Sequence, residues 1–152
     1  MYIYLMVLTI CSTAGLHVWR TLFDNFAVHV VDLNGPHIGV IQSVREIPGL
    51  LSFLVIYLLL VFREHKVSAL SVMVLGLGVA LTGLFPSFYG LIFTTILMSF
   101  GFHYFETTNQ SLTLQYFDKR TSPLVFGKLR SFAAAANICS GLLVFILAPL
   151  LD

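Results

Sequence analysis

The sequence contains a long run, residues 67 to 102, without a single charged side chain. A helix crosses the hydrocarbon of a bilayer with about 20 apolar residues, so this run is long enough for two crossings. Residues 85–90 (Phe-Pro-Ser-Phe-Tyr-Gly), near its middle, predict the turn between them. Only 10% of the 152 residues are charged, against roughly 25% in a soluble domain. We therefore expect an all-α protein, a polytopic bundle of transmembrane helices.

Five predicted spans make up a single membrane domain of residues 1–152. They are placed at about residues 2–31, 36–62, 67–84, 89–117 and 126–151. Residues 32–36 (Asp-Leu-Asn-Gly-Pro) end the first span with turn-forming residues, and residues 63–66 (Arg-Glu-His-Lys) end the second with charge. Pro48 is expected to kink the second span. The N-terminus has no basic leader, so the first span is predicted to be retained rather than cleaved.

Lysine and arginine are confined to two of the four connections between spans. The connections between spans two and three and between spans four and five carry Arg63, Lys66, Lys119, Arg120, Lys128 and Arg130, and the other two carry none. Basic residues concentrate on the cytoplasmic side of membrane proteins. This predicts a protein of the cell (inner) membrane, with a cytoplasmic N-terminus and residue 152 on the outer face.

Two short motifs recur at nearly the same interval. Residues 15–21 (Gly-Leu-His-Val-Trp-Arg-Thr) are followed 86 residues later by Gly-Phe-His-Tyr-Phe-Glu-Thr, and residues 39–43 (Gly-Val-Ile-Gln-Ser) are followed 88 later by Gly-Lys-Leu-Arg-Ser. Because three spans separate the copies, the second enters the membrane from the opposite side. Chance similarity between apolar segments is one explanation. The other is an inverted-topology repeat, with residues 1–84 as a first three-helix unit and 89–152 as a partial second.

In these respects the chain resembles the N-terminal portion of a major facilitator superfamily (MFS) transporter. The resemblance lies in the span order, the basic connection after span two, and residues 19–26, 42–50 and 101–106. It implies MFS-like inverted three-helix repeats, incomplete here, with five of about twelve spans. It also implies a partner within the membrane, either a missing C-terminal half or another copy of the chain.

Several charged residues fall inside the predicted spans, although a charge at the centre of a bilayer costs about 2.5–3.5 kcal/mol on insertion scales. They are Arg20, Asp24, Arg45, Glu46 and Glu106. We expect them to face the bundle interior. Arg20 and Asp24 stand four residues apart, at the spacing of a helical ion pair. A charge-balanced arrangement pairs Arg20 with Asp24 or Glu106, and Arg45 with another carboxylate. Arg45 and Glu46 point about 100° apart on an ideal helix and are predicted not to pair with each other.

The predicted function is transport of a small polar solute by alternating access, with proton coupling through a carboxylate as an extension. Spans one, two and four are expected to line a cavity in which Arg20, Arg45 and Glu106 meet the solute. The predicted solute or proton pathway comprises Arg20, Asp24, Arg45, Glu46, His103, Glu106, Asn109 and Gln110. The expected partners are the lipid bilayer, the solute and protons.

Three other interpretations use the same residues. The charges could form a structural ion-pair network in a membrane scaffold or assembly subunit. The chain could be a truncated, non-functional transporter. An intramembrane metal-dependent enzyme would use His103 and Glu106, which share a helical face, with His17. The sequence has no nucleophile–base arrangement, no phosphate-binding Gly-Lys-Ser/Thr loop and no basic stripe for nucleic acid. We therefore expect no enzymatic activity, no cofactor, no metal and no nucleic-acid partner.

Overall fold

A computed structural model describes the backbone of residues 1–151 and the side chains of residues 1–148. Within this range the chain consists of helices and short connections, without a strand. Five of its helical segments are long and apolar enough to cross a membrane. The predicted all-α bundle of membrane helices is therefore confirmed. The predicted position of residue 152 on the outer face lies outside the described residues.

Seven α-helices and one 3-10 turn build the five spans. They are α1 (Tyr2–His29), α2 (Gly35–Arg45), α3 (Ile47–Leu50), the 3-10 turn Ser52–Leu54, α4 (Val55–Leu59), α5 (Glu64–Thr82), α6 (Phe88–Tyr116) and α7 (Ser122–Leu151). The short elements α2 to α4 together form the second span.

Polar residues in the connections fix where the helices begin. The Asn34 side chain accepts a hydrogen bond from the His37 N–H at 3.2 Å, and the Ser87 hydroxyl oxygen accepts one from the Gly90 N–H at 3.1 Å. Such caps satisfy amides that have no partner within the helix. The helix α5 begins at Glu64, ahead of the predicted residue 67, because a carboxylate in the first turn is favoured by the helix dipole.

The second span is interrupted near its middle. The helix α2 ends at Arg45, Glu46 lies at the junction, and a 3-10 turn separates α3 from α4. Pro48 explains the first break, since it lacks an N–H and its ring crowds the carbonyl four residues earlier. The span is thus divided into short segments, a larger departure from a regular helix than the predicted kink.

The bundle is organised around α6. The helix α5 packs along α6, the broken second span packs against another side of α6, and α1 packs against α7. Glycines allow the closest approach of α5 and α6. A Cβ atom on Gly78 would lie 2.5 Å from the Met98 backbone nitrogen, and one on Gly101 would lie 2.3 Å from the Leu75 backbone nitrogen.

The connection between α6 and α7 is ordered by Asp118. The Asp118 carboxylate accepts hydrogen bonds from the Thr121 hydroxyl at 2.7 Å, the Thr121 N–H at 2.7 Å and the Arg120 N–H at 3.0 Å. The Thr121 hydroxyl first, and then the two amides, hold the pKa of this carboxyl below its ordinary value of 3.8. The charged form of Asp118 therefore favours the folded connection.

A pH dependence of stability follows from Asp118. A carboxyl whose pKa is lowered by folding stabilises the fold above its ordinary pKa, and this contribution disappears as the pH falls through the lowered value. We expect part of the loss of stability below about pH 4 to come from this group. Asp118→Asn keeps an acceptor oxygen and cannot titrate, so this part should vanish in the variant. Thermal unfolding of both proteins in micelles across this pH range is the measurement, and identical pH profiles would contradict the assignment.

Candidate functional site

Two polar cavities lie side by side along α6. The larger, about 400 Å³, lies between α1, α6 and α7, and we call it the polar chamber. The smaller, about 70 Å³, lies between α1, the second span and α6, and we call it the arginine pocket. Phe102 lines both cavities. The two spaces are therefore neighbours separated by one aromatic ring.

The structure divides the predicted site residues between these cavities. Arg20, Arg45, Glu46 and His103 line the arginine pocket, and Glu106, Asn109 and Gln110 line the polar chamber. Asp24 lines neither and is exposed on the surface of the chain.

The prediction that Arg20, Arg45 and Glu106 share one cavity walled by spans one, two and four was wrong. Successive turns of α6 face different neighbours: His103 lies against Gly49 of α3, and Glu106 lies near Arg130 of α7. The charges therefore face two adjacent cavities rather than one.

Arg45 and Glu46 form an ion pair in the arginine pocket. The Arg45 Nη2 and Nε atoms donate to the Glu46 Oε1 atom at 2.8 and 3.1 Å. The expectation that these neighbours would not pair was wrong: Glu46, at the C-cap of α2, lies within reach of the long Arg45 side chain. The Ser99 hydroxyl of α6 donates to the Arg45 carbonyl, which lies in the last turn of α2, where carbonyls lack helical partners. The break in the second span is thus held against α6.

The predicted ion pair between Arg20 and Asp24 is absent from the structure, although both side chains are described. Side chains on a helix lean toward its N-terminus, so Arg20 extends back to the turn of Leu16, which also lines the arginine pocket. Asp24 is too short to follow it. Arg20 therefore adds a guanidinium to the pocket without a carboxylate from its own helix.

The polar chamber contains a loose ion pair and unsatisfied polar atoms. The Glu106 Oε1 atom lies 4.0 Å from the Arg130 Nη2 atom, beyond hydrogen-bonding distance. Thr9 is only 7% exposed, and its Oγ1 atom, like the Asn109 Oδ1 atom, is buried without a hydrogen-bond partner. An unsatisfied buried polar group costs about 1–3 kcal/mol.

Four polar residues of the chamber were not predicted from the sequence. They are Thr9, Ser12, Thr13 and Arg130. The three hydroxyl residues of α1 stand at i, i+3 and i+4 and therefore share one face of the helix. This polar face in an otherwise apolar span is the sequence signal that would have identified them. Arg130 was assigned to a basic connection, yet it lies within α7 and reaches toward Glu106.

The two histidines of the repeated motif, His17 and His103, each pack against a glycine of a neighbouring span. A Cβ atom on Gly49 would lie 2.8 Å from the His103 ring, and one on Gly141 would lie 3.4 Å from the His17 Nε2 atom. Among the residues described, no group of three or more His, Cys, Asp or Glu side chains is placed to hold a metal ion.

Comparisons with protein-family models, curated proteins and solved structures find no match to this chain.

Proposed function

We propose that this protein is part of a secondary transporter of the MFS type that moves a small polar solute across a membrane by alternating access. The observation that carries the proposal is the polar chamber, a space lined by Glu106, Asn109, Gln110 and Arg130 within helices that are otherwise apolar. Ionisable residues inside membrane spans are rare and typically line substrate or ion pathways. A scaffold has no need of a space of this size with unsatisfied polar walls.

The depth of the charges supports this proposal. At a rise of 1.5 Å per residue, Glu106 lies about 27 Å from the start of α6 at Phe88 and about 15 Å from its end at Tyr116. Arg20, on α1, lies about 14 Å from His29. Each therefore lies about 14 Å or more from the nearer end of its helix, within the span rather than at its edge.

The repeated motifs share a local hydrogen bond, which helical serine and threonine residues also form elsewhere in this chain. In both copies the threonine hydroxyl donates to the carbonyl of the histidine four residues earlier, at 2.9 Å in each case (Thr21 to His17, and Thr107 to His103). The second motif has its own matching bond: Ser43 to Gly39 at 2.9 Å, and Ser131 to Gly127 at 3.1 Å. Equal sequence thus coincides with equal local geometry.

The packing of the spans supports the same repeat. Span one packs against span five, with His17 at Gly141, and span four packs against span two, with His103 at Gly49. In an inverted repeat, span one corresponds to span four and span two corresponds to span five. The contact between spans one and five therefore corresponds to the contact between spans four and two. Transporters built from such repeats bind their solutes at the repeat interface. Under the proposed repeat, both polar cavities belong to that interface.

The chamber walls indicate the class of solute. They offer a carboxylate, a guanidinium, two amides and several hydroxyls. This set complements a small molecule with both hydrogen-bond donors and acceptors, such as a zwitterion. Glu106 is the group we propose for proton exchange. We further propose a cell (inner) membrane with the N-terminus in the cytoplasm, from the basic connections, and a second membrane unit or second copy that closes the pathway.

A cysteine-accessibility experiment tests the chamber directly. In a background with Cys11 and Cys139 changed to serine, Gln110→Cys is compared with Leu77→Cys, which lies on the outer surface of α5. We expect a membrane-impermeant thiol reagent to modify the Gln110 variant and to leave the Leu77 variant unmodified. A panel of amino acids, sugars and carboxylic acids is then added, and the transported solute should protect position 110.

The outcomes separate the proposal from its rivals. Absence of modification at position 110 from either side of the membrane would show that no aqueous chamber exists and would contradict transport through it. Modification that no solute reduces, together with no uptake into proteoliposomes from the same panel, would favour a scaffold.

A further inference from the structure

A third cavity, distinct from the two polar ones, opens on the surface of the bundle. It measures about 340 Å³ and lies between α4, α5 and α6, and we call it the apolar groove. Its walls are Leu58, Phe62, Lys66, Val67, Leu70, Ser71, Val74, Leu97, Phe100, Gly101 and Tyr104. Hydrocarbon side chains make up most of this surface, so the groove does not suit a polar solute.

The polar residues of the groove do not change its character. The Ser71 hydroxyl donates to the Val67 carbonyl at 2.8 Å and is thereby satisfied within its own helix. The Tyr104 ring packs edge-on against Phe100 with ring centres 5.6 Å apart. Gly101 leaves one wall without a side chain. The apolar groove is therefore lined by hydrocarbon side chains and by a single cation, Lys66.

The interrupted second span leaves this groove open. The helix α5 packs closely along α6, while the short helix α4 contacts α5 much less. Leu58 of α4 and Leu70 of α5 are both substantially exposed, and they border the gap between these elements. The opening is on the outside of the bundle, where a membrane would supply hydrocarbon chains.

The two ends of the apolar groove differ in charge. Lys66 lies in the first turn of α5, next to the exposed Arg63, and Val74 lies about 12 Å further along the helix. Lysine at the end of a span extends its ammonium group to the level of the lipid headgroups. The groove thus begins beside two cations at the membrane surface and continues into the hydrocarbon.

We propose that the apolar groove binds one anionic phospholipid, with its phosphate at Lys66 and one acyl chain along Leu70 and Val74. Basic residues at the membrane surface attract anionic headgroups, and an apolar channel directly below them receives the attached hydrocarbon. The proposal concerns the lipid-facing surface and does not depend on transport through the polar chamber.

The test uses the full chain in nanodiscs with equal amounts of phosphatidylglycerol and phosphatidylcholine. The lipids that remain bound after release are counted by native mass spectrometry. Lys66→Ala removes the cation, and its control is Lys119→Ala, an exposed lysine of the connection before α7. Leu70→Trp fills the groove, and its control is Leu77→Trp, since Leu77 is comparably exposed on α5 and does not line the groove.

We expect Lys66→Ala to lower retained phosphatidylglycerol by about fivefold, the factor for one basic residue at an anionic surface, and to change phosphatidylcholine little. Leu70→Trp should remove the bound lipid, and both controls should match the native chain. Equal retention in Lys66→Ala and Lys119→Ala would overturn the headgroup contact. Equal retention in the two tryptophan variants would overturn occupation of the groove. Circular dichroism checks folding, and Lys66→Gln and Leu70→Phe replace any variant that loses helix.

Discussion

Replacing Gly78 by alanine is expected to destabilise the bundle by about 1–3 kcal/mol, the usual effect of overpacking a tight core. The new methyl carbon would lie 2.5 Å from the Met98 backbone nitrogen and 2.7 Å from the Met98 Cα atom. Backbone atoms cannot rotate away as a flexible side chain can, so α5 and α6 would have to separate. Because α6 is the helix on which both α5 and the second span pack, the damage should spread beyond the site of the change.

Gly76→Ala is the matched control, two residues away on the same helix. A Cβ atom on Gly76 meets nothing within 4 Å, and alanine is favoured over glycine within a helix by roughly 0.5–1 kcal/mol. The two substitutions should therefore act in opposite directions. Unfolding by a denaturing detergent, followed by circular dichroism, measures both. Equal effects of the two variants would show that α5 and α6 do not cross at Gly78.

Glu106→Gln is expected to produce the largest loss of function. Under the proposed transport mechanism, Glu106 binds the solute or a proton within the polar chamber, and glutamine preserves the shape without the charge. Hydrogen bonds to charged groups contribute about 1.5–3 kcal/mol, so uptake at limiting solute should fall by about tenfold or more. Dependence of uptake on an imposed proton gradient should disappear.

Asp32→Asn controls for the exchange of a carboxylate for an amide. Asp32 lies in the connection before α2 with a backbone φ of 57°, a conformation that asparagine also tolerates. This variant should transport normally. Solute uptake and internal pH in proteoliposomes of the intact protein are the measurements. Unchanged uptake and unchanged pH response in Glu106→Gln would rule out its role in coupling.

The membrane bundle could be predicted from the sequence because hydropathy and helix length act locally. The absence of charge over residues 67–102 requires helices that satisfy their own backbone, whatever their neighbours are. The division of the second span was only partly predictable. Pro48 indicates a kink, but the extent of the irregular backbone after it depends on packing against α6.

The site was harder to predict because it depends on which helices become neighbours. Glu106 and Gln110 were identified from their depth alone, since charge and amide groups within a span need polar surroundings. Arg130 was missed because its sequence context, close to other basic residues, resembles a connection at the membrane surface. The pairing of Arg45 with Glu46 was excluded by ideal helix geometry, which gives the direction in which each side chain leaves the helix but not how far a long arginine side chain reaches.

The hydrogen bond from Ser99 to the Arg45 carbonyl has a mechanical consequence. The part of the second span that contains α2 is held against α6 at this point, while the part from Ser52 onward is connected to it through a short irregular stretch. Rotation about that stretch would tilt α4 without disturbing α2.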